Sequence, residues 1–387
     1  MAGSEIIAEY ESTFAGWLGA ERAFSFWKGR VALYAILKAL GIAEGDEVIL
    51  PGYTCVMNVN PIKYLGAKPV YVDIEPATYN INANLLPGKI TPKTKVIIAQ
   101  HTYGYPCDMD AIMNIADKNA IPVVEDCCLS LGSKYKGKTV GTMGLAAYFS
   151  FQWNKPYTTG LGGMAVTSDS ALADKIEQLR AGEMFSPWAK EVFMLWAQLV
   201  VYRSIVYPRT TAFAQALFRY LTSKGAVVGS SSTSEFQPTM APDFFKGISG
   251  IQARGGLRQL KKIQQNIAHR VEMAQFYDQL FQQRGWPART YDRSTIQPIM
   301  VRYPVRVNQK QEALAEAAKA GVELGSWFEC PLHPIETPLA AYNYQVGMCP
   351  EAEKAANEAV NLPLHLRANE KTLKRSVEFI TKFTQAR

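Results

Sequence analysis

Short apolar runs alternate with helical segments between about residue 27 and residue 166, and this alternation constrains the fold most strongly. The runs are rich in β-branched and aromatic residues and are apolar throughout, which is typical of strands in a parallel sheet. The predicted strands are Glu47–Pro51, Pro69–Asp73, Lys95–Gln100, Pro122–Asp126 and Ala146–Phe151. The predicted helices between them include Val31–Leu40 and Met109–Asn119. The sequence therefore predicts an α/β fold with a mainly parallel central sheet and helices on both faces.

Polar side chains lie at or just beyond the carboxyl ends of several of these strands. These side chains are Tyr53, Thr54, His101, Asp126 and Ser150. The carboxyl ends of parallel strands meet at one edge of a sheet, and ligands of such sheets bind there. We therefore expect a ligand site at this edge.

The composition narrows the class of protein. The chain has 387 residues, of which 48% are hydrophobic and 19% charged, so it can bury a sizeable core. Its formal charge of +7 is mild, and no dense basic run or zinc-ligand spacing accompanies it, so we expect no nucleic-acid partner and no metal. The six cysteines lack a CxxC pair, and residues 1–10 do not resemble a secretory signal. These features predict a cytoplasmic protein.

The pattern of apolar and polar segments along the sequence predicts two domains. Residues 1–250 form the large domain, which contains an apolar helical insertion at about residues 184–233. Residues 251–387 form a smaller C-terminal α/β domain. Its predicted elements are a long polar helix from Ile251, a strand Tyr303–Val307 and helices Gln309–Ala320 and Glu370–Thr384.

Lys155 lies just beyond the last predicted strand and precedes a glycine-rich turn. Desolvation there lowers the pKa of a lysine, and a neutral amine can form a Schiff base. Asp126 ends the neighbouring predicted strand. Pyridoxal phosphate requires this pair, because a carboxylate keeps its pyridine nitrogen protonated while a lysine holds its aldehyde. The alternatives are a solvated loop lysine and an aspartate that caps a helix or turn.

A third element of this prediction is the segment "WKGRVAL", in which Gly29 opens a helix. The free N–H groups of a helix N-terminus bind phosphate, and Arg30 adds positive charge there. Glycine before a helix is common in α/β proteins, so this signal gains weight only together with Lys155 and Asp126.

Several longer motifs occur in order along the chain. They are "GIAEGDEVILPGYTCVMNVNPIKYLGAKPVYVDIEPATYNI", "QHTYGYPCDMDAI", "PVVEDCCLSLGSKYKGKTVGTMG", "SFQWNKPYTTGLGGM" and "NLPLHLRANE". With them the chain resembles the DegT/StrS family of pyridoxal-phosphate-dependent sugar aminotransferases over nearly its whole length. The resemblance implies the fold type I of aspartate aminotransferase and a homodimer with active sites at the subunit interface. It also implies transfer of an amino group from glutamate or glutamine to a keto sugar, usually nucleotide-linked, in polysaccharide or secondary-metabolite sugar biosynthesis.

The resemblance also implies roles for single residues. Lys155 matches the Schiff-base lysine, Asp126 the partner of the pyridinium nitrogen, and Ser150 a phosphate-binding serine. Residues 1–250 would then be the cofactor-binding domain. The phosphate turn of the family corresponds to Gly29, Arg30 and Val31.

Three positions depart from the family pattern. Cys55 stands where an aromatic ring usually stacks on the cofactor, and Leu129 where a glutamine or histidine commonly reaches the ring hydroxyl. Phe245 stands where an asparagine usually reaches the phosphate of the neighbouring subunit. These departures leave the identity of the substrate open, but they do not argue against the cofactor.

Four further residues are candidates for contact with the substrate: Tyr53, His101, Tyr103 and His333. His101 is equally well explained as a core histidine whose hydrogen bonds are satisfied. His333 matches a family position near the sugar.

Two alternatives to the aminotransferase remain at this point. A keto-deoxysugar dehydratase of the same family would carry histidine in place of Lys155. A cofactor-binding regulatory or membrane-associated protein without turnover would explain the three departures. For the insertion, burial in a dimer or core and contact with an anionic membrane surface are both open.

Overall fold

The computed structural model of the protein describes residues 3–153, 155–205, 233–286, 291–292 and 294–384. The helices are α1 (Gly3–Leu18), α2 (Gly29–Ala39), α3 (Val56–Tyr64), α4 (Met109–Lys118), α5 (Ser170–Glu183), α6 (Ala189–Ile205), α7 (Gly250–Leu260), α8 (Ile263–Gln282), α9 (Lys310–Ala320), α10 (Pro350–Glu358) and α11 (Glu370–Ile380). Short 3-10 turns are Ala83–Leu85, Thr102–Gly104, Thr233–Phe236, Leu339–Tyr342 and Thr381–Phe383.

The strands form one large sheet and three small ones. They are β1 (Arg22–Phe26), β2 (Glu47–Pro51), β3 (Thr54–Cys55), β4 (Lys68–Val72), β5 (Thr94–Gln100), β6 (Val123–Asp126), β7 (Lys134–Tyr135), β8 (Lys138–Thr139), β9 (Ala146–Ser150), β10 (Gly163–Thr167), β11 (Ile296–Gln297), β12 (Tyr303–Arg306), β13 (Leu332–His333) and β14 (Ala359–Leu362). The strand order in the large sheet is β1-β10-β9-β6-β5-β2-β4.

The large sheet is parallel from β4 to β9, and β10 runs antiparallel to both of its neighbours. Successive residues of β2 and β5 face opposite sides of the sheet. Val48 and Ile98 pack into the cluster that contains α2, whereas Ile49 and Ile97 pack into the cluster that contains α4. Helices therefore cover both faces, and the predicted fold class is confirmed.

Local signals in the sequence explain how two of the helices, α4 and α7, begin. The Asp108 side chain accepts a hydrogen bond from the backbone N–H of Ala111 at 3.1 Å and so caps α4. The polar helix predicted from Ile251 is two helices, α7 and α8, which are separated at Lys261 and Lys262. The side chains of Ser249 and Gln252 form a capping box at the start of α7.

The C-terminal part of the chain is built on the antiparallel pair β12 and β14, flanked by helices. Its buried side chains share one apolar cluster with those of the large sheet: the Tyr53 and Phe328 rings, for example, lie 5.1 Å apart. The two-domain division at residue 250 stays a prediction.

Helix α6 contains the described part of the predicted insertion. Leu195 and Leu199 are buried and pack against the loop that carries Lys155. The opposite face exposes Phe193 and Trp196, whose rings lie 5.9 Å apart. Residues 206–232, which hold the rest of the insertion, lie outside the described residues. Among the residues that are described, every helix is too short or too polar to traverse a bilayer.

Candidate active site

Asp126 ends β6 and is buried at the carboxyl edge of the sheet. One carboxylate oxygen accepts a hydrogen bond from the Asn58 side-chain amide at 2.6 Å, and the other accepts one from the backbone N–H of Cys128 at 2.9 Å. Tyr148 lies directly opposite on β9. Burial, and then the nearby Asp126 carboxylate, hold the pKa of the Tyr148 hydroxyl well above its ordinary value. These contacts fix the orientation of the carboxylate.

A hydrogen-bond network behind Asp126 fixes Asn58 in turn. The Asn58 amide also donates to the Thr54 hydroxyl at 3.0 Å, and that hydroxyl donates to Oε1 of Gln100 at 2.5 Å. Nε2 of Gln100 donates to the Tyr53 carbonyl at 2.9 Å. The network ties β5 to the start of α3, so that the amide of Asn58 faces Asp126.

Lys155 follows β9 in a tight loop at the same edge. Its backbone N–H donates to the Gln152 carbonyl at 3.0 Å, and the Phe151 N–H donates to the Gly162 carbonyl at 2.9 Å. The Asn266 amide of α8 donates to the Pro156 carbonyl at 2.5 Å. The loop is thus held from both sides.

The Lys155 amine is half-buried and lies 5.0 Å from the centre of the Trp327 ring. Burial lowers the pKa of this amine below the ordinary lysine value, although Cys128, Asp126 and Cys55 act in the opposite direction. Asp126 is therefore close enough to act on the amine electrostatically. The structure brings together the acid and the amine that the sequence predicted as a pair.

The N-terminus of α2 lies against the end of β9. A Cβ on Gly29 would come within 2.9 Å of the Ser150 Cβ and 3.0 Å of the Phe149 carbonyl oxygen, so only glycine fits. Lys28 precedes the helix without capping it through its side chain. The Val31 N–H donates to the Lys28 carbonyl at 3.1 Å. Gly29 and Ser150 thus form a narrow cradle beside a helix N-terminus, which suits an anion.

Arg30 is buried beside this cradle, and its guanidinium donates to the Glu235 carboxylate at 2.6 Å. The Lys28 amine lies 3.2 Å from both oxygens of the same carboxylate. Burial and the neighbouring Arg30 lower the pKa of Lys28 to about 8, against the opposing effect of Glu235. Glu235 therefore partly neutralises the charge that the sequence assigned to the phosphate.

Tyr53 and Tyr103 are fully buried, and their hydroxyl oxygens lie 2.8 Å apart. The Phe328 N–H donates to the Tyr53 hydroxyl at 3.1 Å, and the Tyr103 hydroxyl donates to the Trp327 carbonyl. Both tyrosines hold the segment that carries Trp327. Their predicted contact with substrate stays a prediction.

His101 is also fully buried, with both ring nitrogens engaged. Nδ1 accepts the Cys107 N–H at 2.9 Å, so the ring proton lies on Nε2, 3.0 Å from Glu125. Burial opposes ionisation of Glu125, but hydrogen bonds from His101 and from the N–H groups of Gly141 and Gly144 outweigh it and lower its pKa. Although Cys127 completes a cluster with atoms within 4.8 Å, these bonds occupy the histidine and the carboxylate. The contacts favour the core-histidine alternative.

His333 lies in β13, which pairs in parallel with β3 and places it opposite Cys55. Burial lowers the pKa of His333 to about 4, against the opposing charge of Glu329. Burial also raises the pKa of the Cys55 thiol, although Arg30 and Lys155 oppose this shift. Arg30 and Lys155 are therefore both close enough to Cys55 to act on it electrostatically.

The other two departures from the family pattern are buried apolar side chains. Leu129 belongs to the main core cluster. The ring of Phe245 lies 5.7 Å from the rings of both Phe26 and Tyr34, inside its own subunit. Phe245 thus packs into the hydrophobic core of its own subunit.

Sequence reasoning missed several residues of this site. They are Asn58, Gln100, Glu235 and Trp327. Asn58 lies in the first turn of α3, four residues after Thr54 of β3, to whose hydroxyl its amide donates. Gln100 ends a predicted strand, and that position could have marked it. Glu235 and Trp327 come from distant parts of the chain, and no local pattern marks them.

The residues present fit pyridoxal phosphate. The cradle at Gly29 admits no Cβ, the carboxylate of Asp126 is held by two donors, and the Lys155 amine is desolvated toward its neutral form. Each feature is of the chemical kind that the phosphate, the ring nitrogen or the aldehyde of the cofactor would need.

A sequence profile of the DegT/DnrJ/EryC1/StrS aminotransferase family matches residues 2–193 and 244–381. The chain belongs to this family. Membership confirms the predicted family, the aminotransferase class and the cofactor, pyridoxal phosphate.

Relatives of known activity in the DegT family match most of the chain. GDP-perosamine synthase of Caulobacter vibrioides is 31% identical over 379 residues, which are 96% of this chain and 88% of that protein. UDP-2-acetamido-2-deoxy-3-oxo-D-glucuronate aminotransferase of Pseudomonas aeruginosa is 32% identical over 361 residues, 93% of this chain and 85% of that protein. The solved structure of an aminotransferase from Psychrobacter cryohalolentis matches with a TM-score of 0.76 at 24% identity, covering 98% of this chain and 91% of that one. The fold is therefore shared.

Proposed function

We propose that the protein is a sugar aminotransferase that takes an amino group from glutamate or glutamine and places it on a keto sugar linked to a nucleotide or another carrier. Family membership and the activities of the two relatives support this class. The observation that carries the proposal is the clamped carboxylate of Asp126 beside the desolvated amine of Lys155.

Different residues of the site would hold different parts of the cofactor. Pyridoxal phosphate supplies an aldehyde that condenses with amines and a ring that withdraws electrons. Gly29, Val31 and Ser150 would hold its phosphate at the start of α2, and Arg30 would add charge. Asp126 would keep a proton on the ring nitrogen, because two donors hold its carboxylate in place.

Lys155 has two tasks in this scheme. Its amine would hold the aldehyde of the cofactor, and it would also move a proton to and from the reacting carbon of the substrate. Proton transfer is most efficient when the pKa of the group lies near the working pH. Burial moves the pKa of Lys155 in that direction. Trp327 covers the amine and limits the access of water.

We also propose that the protein forms a homodimer. Residues 184–233 would contact either the partner subunit or a membrane. The exposed rings of Phe193 and Trp196 support a covered surface on α6. Sedimentation with anionic liposomes at low and high salt distinguishes contact with the partner from contact with a membrane, since membrane binding through basic residues weakens as salt rises.

The half-reaction tests the proposal against a protein without turnover. Glutamate added to the cofactor-loaded protein should convert the cofactor spectrum to that of the amine form. Lys155→Ala should abolish this conversion, whereas Lys138→Ala, which removes an exposed lysine of β8, should not. An unchanged spectrum in the wild type, with both glutamate and glutamine, would contradict the proposal. Amination of a nucleotide-linked keto sugar would exclude the dehydratase alternative.

A further inference from the structure

Helix α6 is apolar on two opposite sides. Leu195 and Leu199 form its buried side. The exposed side carries Phe193, Trp196 and Val200 at the i, i+3 and i+7 positions, and these side chains are between 46% and 64% exposed. A helix that is apolar all round is typical of a protein interior or of contact with lipid. The family profile matches the chain up to residue 193 and again from residue 244, so it does not account for this surface.

The buried side of α6 packs directly on the loop that carries Lys155. A Cβ on Gly160 of that loop would lie 3.0 Å from Cδ1 of Leu195 and 3.2 Å from Cδ2 of Leu199. These two leucines share one apolar cluster with Leu161 of the same loop. The contact fixes α6 to the body of the protein and leaves its other side to face outward.

The sequence around α6 carries an excess of positive charge. Residues 184–233 contain a single acid, Glu191, and five basic residues, which are Lys190, Arg203, Arg209, Arg219 and Lys224. The Glu191 carboxylate is engaged within the protein, because it accepts the Trp188 N–H at 3.0 Å and pairs with the Lys246 amine at 2.8 Å. Lys190 and Trp188, at the start of the helix, are exposed. Aromatic and basic residues in this combination are typical of helices that lie on an anionic membrane.

The same charge favours a membrane over a second copy of the chain. In a two-fold dimer contact, the same surface of each subunit meets its copy. Such a contact through α6 would bring two positively charged segments together, and like charges repel. Anionic lipid headgroups carry the opposite charge, and each basic residue near them adds to the attraction.

We propose that the exposed side of α6 docks on an anionic lipid membrane. Phe193, Trp196 and Val200 would enter the boundary between headgroups and acyl chains, and the helix would lie in the plane of the membrane. The loop of Lys155 would then lie about 10 Å from the lipid, the diameter of one helix. This inference does not depend on the proposed function, because it uses only α6 and the charge around it.

Co-sedimentation of the cofactor-loaded full chain with vesicles tests the docking. Vesicles of phosphatidylcholine alone are compared with vesicles that also contain phosphatidylglycerol, at low and at high salt. The wild type should bind the phosphatidylglycerol vesicles at low salt, and high salt should weaken this binding. The double variant Phe193→Ser/Trp196→Ser should bind at least about 10-fold more weakly, because two rings lose their burial in lipid. Val346→Ser, which changes an exposed apolar residue outside α6, should bind as the wild type does.

A second variant and a second measurement complete the test. Lys190→Glu keeps the apolar residues and should still weaken vesicle binding several-fold, because it reverses one charge. If the double variant does not fold, this variant decides, and wild-type affinity in it contradicts the docking. Sedimentation velocity without vesicles gives the oligomeric state of each protein.

Three results would overturn the inference. They are no binding of the wild type to phosphatidylglycerol vesicles at low salt, equal binding by the wild type and the double variant, and loss of a dimer in the double variant. The last result would assign the exposed side of α6 to the contact between subunits. The half-reaction with glutamate needs no vesicles, so failure of the proposed function shows separately.

Discussion

The Asn58 amide lies 2.6 Å from the Asp126 carboxylate and is itself oriented by Thr54 and Gln100. Asp126 is thus connected to two neighbouring elements, β5 and α3. A carboxylate held this firmly keeps its position when a charged ring nitrogen approaches, and it needs no reorganisation to stabilise charge that develops during reaction.

Asn58→Ala removes one of the two donors to Asp126. We expect the half-reaction with glutamate to slow by about 10-fold, because the lost hydrogen bond involves a charged group. Stopped-flow spectroscopy of the cofactor measures the rate. Asn119→Ala, at the exposed end of α4, is the control. An unchanged rate in Asn58→Ala would show that Cys128 alone orients the carboxylate.

In the proposed site, Glu235 and the cofactor phosphate would compete for the two cations that Glu235 contacts, Lys28 and Arg30. Glu235→Gln should therefore tighten pyridoxal phosphate binding several-fold, and Arg30→Ala should weaken it by about 10-fold. Equilibrium dialysis at about pH 6.5, below the pKa of about 8 that burial and Arg30 give Lys28, measures both. Glu183→Gln, which removes the ion pair to Lys38 at the other end of α2, is the control. Weaker binding in Glu235→Gln would mean that the carboxylate positions the cations instead of competing for them.

The pKa of Lys155 should be visible in its chemical reactivity. Burial lowers the pKa of the Lys155 amine, whereas a hydrogen bond to Glu316 raises the pKa of the exposed Lys319. In cofactor-free protein, the Lys155 amine should therefore become neutral, and react with an aldehyde, at a lower pH than the Lys319 amine does. The Asp126 carboxylate opposes the effect of burial, so Asp126→Asn should move the midpoint of Lys155 further down. Reductive methylation followed by mass spectrometry, across a pH series, reads both lysines in one sample. Equal midpoints for the two lysines would contradict the desolvation of Lys155.

His333 should make the protein less stable in acid. Burial lowers its folded pKa to about 4, whereas the unfolded value is about 6.5. The unfolded state therefore gains a proton first as the pH falls, and the free energy of unfolding should drop by up to about 3 kcal/mol between those two values. Urea unfolding near neutral pH and near pH 5 measures this loss. It should shrink in His333→Gln and persist in His365→Gln, which changes a histidine whose side chain is 40% exposed. Identical losses in all three proteins would refute the assignment.

The sequence predicted the parts of the fold whose signals are local. Strand β2 was predicted with the bounds that the structure has, and α4 with the cap at Asp108. Strands β1 and β10 were missed, because β10 reverses direction through the loop at Gly160 and Gly162 and pairs with a strand from the start of the chain. The pairing of distant segments depends on tertiary packing, which no local pattern records.

The residues of the candidate site also fall into those that local patterns predict and those that depend on tertiary packing. Asp126 and Ser150 end strands and Lys155 follows one, so their positions could be inferred from strand ends and from the resemblance. Trp327 and Glu235 reach the site from remote segments, and the pairing of Glu235 with Arg30 depends on that placement. The sequence could therefore predict the reacting groups but not the residues that orient and neutralise them.

Mapping the lysine that holds the cofactor tests the central claim most directly. Borohydride reduces the bond between a lysine and pyridoxal phosphate, and digestion followed by mass spectrometry then locates the label. We predict that the label lies on Lys155 and disappears in Lys155→Ala. Label on another lysine, such as Lys28, whose pKa burial and Arg30 lower to about 8, would contradict the account.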